Sequence, residues 1–306
     1  MVGIINVNKP SGVSSNGVVV KIKKILNTSK IGHLGTLDPL ASGVLPICVG
    51  KATRLFDYFL NKTKTYKAIF KFGTLTTTLD NEGEIVLQNG SVPTKNDLLK
   101  ALESLRGEIS QFPPKHSAKF VGGVRAYELA RKGVDFELKP KQVTIYKFDL
   151  IRQIDQDSYE FDIMCSAGTY IRSLCRDLAE QTGTVATMTN LIRTSCGSFN
   201  LKDSVDYQDL SKEIIVSNLV TVEQALCDMP KFDMSDNLFT RLINGLATTI
   251  KHEDGEFLAM CKNEAVGIVS IQQGKIKIKT YLKEWYYDKV WSIRKLPMVL
   301  RRRQQK

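Results

Sequence analysis

The sequence predicts an α+β fold in which helices flank a mixed, largely antiparallel central sheet, followed by a small C-terminal β module. Helical and alternating segments are mixed along the chain without the regular strand–helix–strand order of a parallel sheet. Beyond Pro230, several short alternating segments follow one another. A chain of 306 residues is long enough for one large domain or two, with an ample core.

The first predicted helix follows Ser14 and Ser15, either of which can cap its N-terminus. Its apolar residues, from Val18 to Leu26, recur at helical spacing. Glycines and prolines between Gly32 and Gly50 then predict an ordered loop that leads into a short apolar strand, Val44 to Val49.

The next predicted elements are a short helix, a strand and a capped helix. The short helix runs from Thr53 to Leu60. The segment KTYKAIFKFG alternates from Tyr66 to Phe72 and predicts a strand with one buried face. Thr94 and Asp97 form a capping pair for a helix that Gly107 ends.

The remaining predicted elements mix strands and helices on both sides of a weaker boundary near Pro230. They are a turn at Asp80–Gly83, a helix at Arg125–Lys132, strands near Val143–Ile154 and Tyr159–Cys165, a helix capped by Thr169 and running through Ala179, a strand at 185–195, and short strands at Glu256–Cys261, Ala265–Ile271 and Lys275–Thr280. The predicted domains are therefore residues 1–228, a β-rich module at 229–284 and a basic extension at 285–306.

The positive charge is concentrated at the two ends of the chain. Residues 1–80 carry 11 basic and 3 acidic residues, and the last 32 residues carry 11 basic and 2 acidic ones. Between them, residues 81–274 carry 21 basic and 27 acidic residues. This asymmetry favours a polyanionic partner. For the last segment alone, plain solvation of the charges explains the composition equally well.

The composition argues against a metalloenzyme, a membrane protein and a secreted protein. The six cysteines never occur as C-x-x-C, and only three histidines accompany them, so we predict no zinc site and expect free thiols. The chain has no 18-residue apolar run, and its first ten residues lack the basic start and apolar stretch of a signal peptide. We therefore expect a cytoplasmic protein that binds no metal and no membrane.

The segment GHLGTLDPLASGVLPICVGK, residues 32–51, holds a single acidic residue, Asp38, in a stretch poor in charge. Because Asp followed by Pro is typical of turns, the residue types alone favour a turn-capping role. The alternative is a reactive carboxylate held out of bulk water. Other parts of the chain decide between the two.

Seven separate segments carry a family resemblance. They are NKPSGVSS (8–15), GHLGTLDPLASGVLPICVGKATR (32–54), KTYKAIFKFG (64–73), PPKHSA (113–118), RAYELAR (125–131), CSAGTYIRSLCRDLA (165–179) and LIRTSCGSF (191–199). In this order and at this spacing they closely resemble the tRNA pseudouridine synthase B family, the pseudouridine-55 synthases, over about residues 1–228. The part GHLGTLDPLASGVLP is very specific to that family.

The resemblance implies the pseudouridine synthase fold and an isomerase that converts uridine to pseudouridine at position 55 in the T loop of tRNA. The uridine is flipped out, its glycosidic bond is broken, and the uracil is turned over and rejoined to the sugar through C5. No cofactor is implied, because nothing is oxidised and no group is imported. The implied partner is the tRNA T-arm, bound by a monomer. Residues 229–284 would be a reduced version of the family's RNA-binding PUA-type domain.

The same matching implies that Asp38 is the catalytic aspartate. The resemblance therefore favours a reactive carboxylate over a turn-capping one. Water exclusion by the apolar loop would raise its reactivity, and a desolvated carboxylate needs a fixed cation to stay ionised. Arg172, in GTYIRS, matches the family's arginine and is expected to pair with Asp38. Tyr66 matches the active-site tyrosine, which stacks on the flipped uracil and could assist proton removal from C5.

Substrate-binding roles are implied for four residues: Tyr66, Tyr170, Leu191 and His33. In the family, Tyr170 matches a tyrosine in contact with the substrate, Leu191 an apolar wall of the pocket, and His33 a histidine that contacts displaced RNA bases. Taken singly, each residue has an ordinary structural explanation. The tyrosines could be core aromatics and His33 a plain loop residue.

Three positions differ from the family pattern. His116 stands where Tyr or Phe is usual, Phe120 where lysine is usual, and Thr187 where histidine is common. They lie away from Asp38 in the sequence, so we expect them to affect local RNA contacts and packing and not the reaction.

Two rival functions are compatible with parts of the sequence. A non-catalytic RNA-binding protein or tRNA-folding chaperone would not need Asp38, Tyr66 or Arg172. A glycosidase or nucleoside hydrolase would need a second carboxylate at a fixed distance from Asp38. Asp80 and Asp177 are the acids considered for that role. The sequence leaves open whether Asp38 attacks C6 of uracil, attacks C1′ of ribose, or supports a glycal path.

Overall fold

One mixed sheet forms the centre of the larger unit, residues 3–220. The computed structural model describes residues 1–60, 62–88, 90–117 and 119–282 of the chain. The strands of the larger unit are β1 (Gly3–Lys9), β2 (Ile31–His33), β3 (Ser42–Val49), β4 (Lys64–Phe72), β5 (Thr74–Thr76), β6 (Ile85–Gln88), β7 (Gly107–Gln111), β8 (Phe120–Val121), β9 (Val124–Arg125), β10 (Lys141–Gln153), β11 (Ser158–Cys165), β12 (Ala186–Cys196), β13 (Phe199–Asn200) and β14 (Val205–Asp206).

The helices of this unit connect the strands and cover the sheet. They are α1 (Ser15–Leu26), α2 (Phe56–Leu60), α3 (Lys95–Ser104), α4 (Ala126–Arg131), α5 (Ile171–Gln181) and α6 (Lys212–Ser217). As predicted, Ser14 caps α1, because its hydroxyl accepts a hydrogen bond from the Gly17 N–H. The predicted capping pair of Thr94 and Asp97 is also present at the start of α3.

The central sheet is mixed and largely antiparallel, which confirms the predicted fold class. Its strands lie in the order β14-β1-β3-β12-β4-β11-β10-β7, with β2 paired to β3 and β13 paired to β12. The pairs β1–β14 and β3–β12 are parallel, and the other pairs are antiparallel. The parallel pairing of β3 with β12 brings the loop before β3 next to a strand from far along the chain.

Apolar faces of α1, α3 and α5 pack on the sheet and complete one core. Every second residue of β4, from Lys64 to Phe72, is buried, as its alternation predicts. Phe70 of β4 packs against Phe148 and Phe161, with ring centroids 6.3 and 4.8 Å apart. Because this burial fixes the strands against the helices, the side chains at their ends are held in defined positions.

Two local predictions need correction. The segment 53–60 is not one helix, because a 3₁₀ turn at Gly50–Leu55 precedes α2. Thr169 does not cap α5; its hydroxyl donates to the Ser166 carbonyl, and Tyr170 is the N-cap residue without a side-chain bond. A local side-chain bond to the backbone has replaced the cap in this case.

The second unit contains residues 221–282 together with residues 1 and 2. Its elements are α7 (Val222–Ala225), β15 (Lys231–Asp233), α8 (Asp236–Ile243), β16 (Thr248–Thr249), β17 (Gly255–Cys261), β18 (Glu264–Gln272) and β19 (Lys275–Tyr281). The sheet order is β15-β17-β18-β19-β16, and Phe239 and Leu242 of α8 belong to its core. The three predicted strands after residue 255 are thus present.

The division between the units falls before Thr221, earlier in the chain than the predicted boundary at 228/229. The RNA-binding role of the second unit stays a prediction. The extension at 285–306 lies outside the described residues. Within the part of the chain that the structure describes, no helix is long and apolar enough to cross a membrane.

Candidate active site

A cleft of about 660 Å³ in the larger unit is lined by all six side chains singled out in the sequence. They are His33, Asp38, Tyr66, Tyr170, Arg172 and Leu191. A volume of this size is within the range of small-molecule pockets and suits a single nucleotide. The residues come from β2, the β2–β3 loop, β4, the start of α5 and β12. Their roles stay predictions, but the fold brings them together.

Asp38 lies in the loop between β2 and β3. It takes part in a turn, as its residue type suggests, and its carboxylate also reaches the pocket. Its backbone forms a turn, because the Asp38 carbonyl accepts a hydrogen bond from the Ala41 N–H. Its carboxylate leaves the turn and lies 3.0 Å from the Arg172 guanidinium, as predicted. About 34% of the Asp38 side chain is exposed, so the carboxylate is less shielded from water than expected.

Arg172 is buried in the first turn of α5 and bridges two carboxylates. Its two terminal nitrogens lie 3.0 Å from Asp38 Oδ2 and 3.2 Å from Asp80 Oδ2. The same nitrogens donate to the carbonyls of Thr78 and His116, each at 3.0 Å. Four acceptors therefore fix the plane of the guanidinium, which holds a positive charge beside Asp38.

Asp80 is the second carboxylate of this network and is only 3% exposed. Its Oδ1 accepts hydrogen bonds from the Thr78 hydroxyl and the Glu82 N–H, while Oδ2 faces Arg172. Both oxygens are thus engaged. The sequence predicted a turn at Asp80, which the structure contains, but it did not predict the pairing with Arg172.

The backbone of the Asp38 loop is held by buried cations and hydroxyls. Arg193 of β12, which is 1% exposed, donates to the carbonyls of Val44, Thr36 and Gly35 at 2.7, 3.3 and 3.2 Å. On the other side, the Ser15 hydroxyl bonds both to the N–H and to the carbonyl of Leu37, each at 2.8 Å. These bonds preorganise the loop around Asp38 before any substrate arrives.

Lys9 supports the same loop from the end of β1. The Lys9 side chain is fully buried, and its ammonium donates to the carbonyls of Pro10, Val13 and Pro39 at 2.9, 2.6 and 3.1 Å. Burial lowers the pKa of Lys9 to about 8, although the nearby Asp38 carboxylate favours the charged form. At neutral pH the lysine is therefore a second positive charge close to Asp38.

Tyr66 lies on the inner face of β4, where it is 8% exposed. Burial raises the pKa of its phenol well above the usual value, and the nearby Arg193 guanidinium offsets only part of that rise. The phenol is therefore protonated at neutral pH. A neutral ring in the pocket wall is suited to stacking on a base, and a phenolate formed during the reaction would be a strong base.

Tyr170 is positioned by a residue that the sequence did not single out. Gln111, 1% exposed at the end of β7, accepts from the Tyr170 N–H at 2.8 Å and donates to the Tyr170 carbonyl at 3.1 Å. This pair of bonds fixes the backbone just before α5. Burial also raises the pKa of the Tyr170 phenol, so that it is neutral.

His33 and Leu191 complete the set of six. Burial, with a smaller contribution from Arg193, lowers the pKa of His33, so its ring is neutral at pH 7. Among the described residues, the buried Nδ1 of His33 has no hydrogen-bond partner. Leu191 is 4% exposed and contributes apolar surface to the pocket wall.

His116 lies at the pocket, although it is distant from Asp38 in the sequence. Its side chain lines the pocket, and its carbonyl accepts a hydrogen bond from Arg172. Burial, and then the Arg172 charge, lowers the pKa of the imidazole, so it adds no positive charge at neutral pH. In contrast, the Thr187 hydroxyl is used structurally, since it donates to the Thr74 carbonyl at 2.9 Å.

The fold is shared with a chain in the structure of an H/ACA RNP bound to a substrate RNA containing 2′-deoxyuridine. The TM-score is 0.69 at 23% sequence identity, over 92% of this chain and 85% of that chain. At this identity the similarity concerns the fold alone. It is the pseudouridine synthase fold, which defines the structural class of this protein.

The sequence comparisons identify the family within that class. A model described as TruB family pseudouridylate synthase (N-terminal domain) matches residues 23–171, and the tRNA pseudouridylate synthase B C-terminal domain matches residues 172–229. The tRNA pseudouridine synthase B of Clostridium kluyveri is 41% identical over 275 residues, 90% of this chain and 93% of that protein. The one from Clostridium perfringens is 39% identical over 247 residues, 80% and 84% of the two chains. The chain belongs to the TruB family of pseudouridylate synthases.

Proposed function

We propose that this chain isomerises uridine to pseudouridine at position 55 in the T loop of tRNA. Its family supports the reaction, and the pocket supplies groups suited to it. The observation that carries the proposal is the Asp38–Arg172 pair, 3.0 Å apart in a pocket that Tyr66 also lines. A carboxylate held by a fixed guanidinium and partly exposed to the pocket is suited to an aspartate-dependent break of a glycosidic bond.

In this proposal, Asp38 acts on the flipped uridine while Arg172 holds the carboxylate in place. The exposed part of the Asp38 side chain is available to the substrate, because Arg172 is buried behind it. Attack at C6, attack at C1′ and support of a glycal path all require the ionised form. The isomerisation conserves every atom of the nucleotide, so no cofactor is needed.

Tyr66, Tyr170, Leu191 and His33 bind the extruded nucleotide. Extrusion of a base costs a few kcal/mol, and stacking on an aromatic ring contributes roughly 1–3 kcal/mol per base. The neutral phenol of Tyr66 supplies that ring, and Leu191 supplies an apolar wall. His33 lines the same pocket and is placed to contact the RNA next to the extruded base.

A hydrolase that uses two carboxylates is the rival that the structure makes worth considering, because Asp80 lies 3.2 Å from Arg172 and Asp38 lies 3.0 Å from it. General acid or base catalysis needs a carboxyl group with a free oxygen in reach of the substrate. Both Asp80 oxygens are already hydrogen-bonded or ion-paired, and the residue is 3% exposed. This favours a structural and electrostatic role for Asp80.

We further propose that the protein acts as a monomer in the cytoplasm and binds the T-arm with its larger unit. The second unit, residues 229–284 in the predicted division, would contact the same tRNA. Its β19 supports this role, because Lys275 and Lys277 are exposed and alternate with less exposed isoleucines, while Lys279 pairs with Glu256. A row of lysines at every second position is suited to phosphate contacts.

The test is a comparison of wild type with Asp38→Asn. In tRNA from cells that lack this protein, we expect uridine at position 55 to stay unmodified. Wild type should restore pseudouridine there, and Asp38→Asn should not. The purified variant should bind tRNA nearly as tightly as wild type, because the side-chain shape is kept. Turnover by Asp38→Asn would remove Asp38 from its role. Modification at a different uridine would refute the assignment of position 55.

A further inference from the structure

An exposed aromatic ring projects from a small hairpin beside the active-site pocket. The hairpin consists of β8 and β9, with Phe120 opposite Arg125 and Val121 opposite Val124. Its tip contains Gly122 and Gly123, both with positive φ. Phe120 is 59% exposed, so it is not a core residue.

The Phe120 ring is held in place by a cation on one face. The guanidinium carbon of Arg125 lies 3.8 Å from the ring centroid, which is a close stacked arrangement. The pairing of β8 with β9 sets this contact, because the two residues face each other in register. One face of the ring is thus covered, and the exposure of the residue leaves the rest of it accessible.

The hairpin is tied to the wall of the pocket at its base. Lys119, just before it, and Tyr127, just after it, both line the pocket. The Ala126 N–H donates to the Lys119 carbonyl at 2.8 Å, and the Tyr127 N–H donates to the Ser117 carbonyl at 3.0 Å. The ring therefore stands at a fixed position next to the pocket and does not line the pocket itself.

The surroundings of the ring are basic. Between Lys119 and Tyr127 the sequence contains no acidic residue. Arg131, one turn along α4, lies with its guanidinium carbon 5.6 Å from the Tyr127 ring centroid and also lines the pocket. Aromatic rings interleaved with Lys and Arg are the combination that binds unpaired nucleic-acid bases, since the cations attract phosphates and the rings stack on bases.

We propose that Phe120 and Arg125 form a stacking platform for an unpaired base of the tRNA substrate, separate from the uridine in the pocket. This inference rests on the proposed function, because that function supplies the RNA. Charge complementarity selects RNA over an apolar protein partner as the occupant. The platform holds a second base outside the pocket while the target uridine is inside, so it contributes to substrate binding and not to the bond-breaking step.

The test is a set of variants at position 120, assayed for tRNA affinity and for single-turnover pseudouridine formation. Phe120→Ala should raise the Kd for tRNA about 5- to 150-fold, the range expected for loss of one base–aromatic stack. Phe120→Tyr should stay within about 3-fold of wild type, because a stacking ring is retained. Phe120→Leu should bind tRNA about as weakly as Phe120→Ala, because it has no ring for stacking. The single-turnover rate at saturating tRNA should fall by less than the affinity does.

Ile85→Ala is the matched control, because Ile85 on β6 is also exposed, at 65%, and lies outside the hairpin. We expect its tRNA affinity to equal that of wild type. A Phe120→Ala variant with unchanged affinity would overturn the platform. So would a Phe120→Leu variant as tight as wild type, since that would indicate simple apolar contact.

Failure of the platform and failure of the proposed function give different results. Wild type that makes no pseudouridine in tRNA would refute the proposed function, while the binding measurements would still decide the platform. Wild type that is active, combined with normal binding by Phe120→Ala, would refute the platform alone. The slope of log Kd against log salt should be the same for Phe120→Ala and wild type, because stacking releases no counterions.

Discussion

At the scale of single residues, Arg172 is placed between two carboxylates in a buried position. One guanidinium with two carboxylates leaves a net negative charge, which the nearby Lys9 ammonium balances. Removing a partner from such a buried network leaves a charge uncompensated, which costs more than the pair contributes when intact. The network therefore holds the Asp38 carboxylate in one orientation, and we expect Asp80 to contribute to that orientation through Arg172.

The first prediction concerns Asp80→Asn, which keeps the shape of the side chain and removes its charge. Arg172 would lose its contact with one carboxylate and turn further towards Asp38. We expect pseudouridine formation to slow about 10- to 100-fold, the effect of one charge-assisted hydrogen bond, while tRNA affinity changes little. Single-turnover kinetics and a tRNA binding titration separate the two quantities.

Asp177→Asn is the control for this prediction. Asp177 forms a similar carboxylate–guanidinium pair with Arg176, at 2.6 Å on α5, but it does not line the pocket. Its loss should leave the rate of pseudouridine formation close to that of wild type. Equal rates for Asp80→Asn and Asp177→Asn would mean that the second carboxylate has no part in the reaction.

A second residue-scale prediction concerns Lys9 and pH. The pKa of Lys9 is about 8 in the folded protein and near 10.5 in the unfolded chain. Between these values the unfolded chain binds more protons, so the free energy of unfolding should rise with pH through this window. Below pH 8 both states are protonated, and the destabilising effect of burying the charge is complete.

The comparison of wild type with Lys9→Met isolates this contribution. Urea unfolding of both proteins should be measured at several values from pH 7 to 10. The free energy of unfolding of wild type should rise relative to that of Lys9→Met, by about 2–3 kcal/mol at most. A difference that stays constant with pH would show that Lys9 titrates normally in the folded state.

The six site residues could be proposed from the sequence because the family resemblance implies a role for each of them. Four others of the site could not be assigned a role: Lys9, Asp80, His116 and Arg193. Their function depends on contacts with residues remote in the chain, such as the bonds from Arg172 to the carbonyls of Thr78 and His116 across 94 and 56 positions. Nothing in the local pattern around Asp80 distinguishes a turn aspartate from an ion-paired one.

At the scale of elements, the Asp38 loop is held mainly through its backbone carbonyls. Strand β3 must also approach β12 closely for these bonds to form. Gly43 makes this approach possible, because a Cβ at this position would lie 2.3 Å from the Arg193 carbonyl oxygen, and its φ is +102°. The glycine thus permits both the backbone conformation and the contact.

We therefore predict that Gly43→Ala is strongly destabilising and impairs turnover. The methyl group would force β3 and β12 apart and break the Arg193 bonds to the loop. We expect a loss of roughly 3 kcal/mol or more in unfolding free energy. Gly107→Ala is the control, because Gly107 has a similar φ of +83° and nothing within 4 Å of its Cβ position. It should cost only about 1 kcal/mol. Thermal unfolding of both variants measures the two losses in unfolding free energy, and equal losses would contradict the prediction.

The elements that could be predicted are those with one fully buried face. β4 alternates because its inner face packs against α5 and its neighbours, and periodicity records that burial directly. The hairpin β5–β6 gave no such signal, since all four residues of β6 are exposed. The prediction that Thr169 caps α5 was wrong, because its hydroxyl donates to the Ser166 carbonyl, whereas a capping hydroxyl accepts from a helix N–H.

At the scale of the whole molecule, the charge distribution predicts salt-sensitive tRNA binding. Phosphate contacts release counterions, so affinity falls steeply as salt rises. We expect at least about a tenfold loss of tRNA affinity between 50 and 200 mM salt. Removing residues 283–306, which carry eight basic and two acidic residues, should make the slope shallower. An affinity that does not change with salt would contradict this account.

The bonds from Arg193 to the Asp38 loop join residues between 149 and 158 positions apart. During synthesis on the ribosome, the loop is made early and stays without its main anchor until β12 emerges. Contacts so distant in sequence form late in folding, because much of the chain must already be ordered. We therefore expect a chain truncated before β12 to lack an ordered Asp38 loop and to make no pseudouridine.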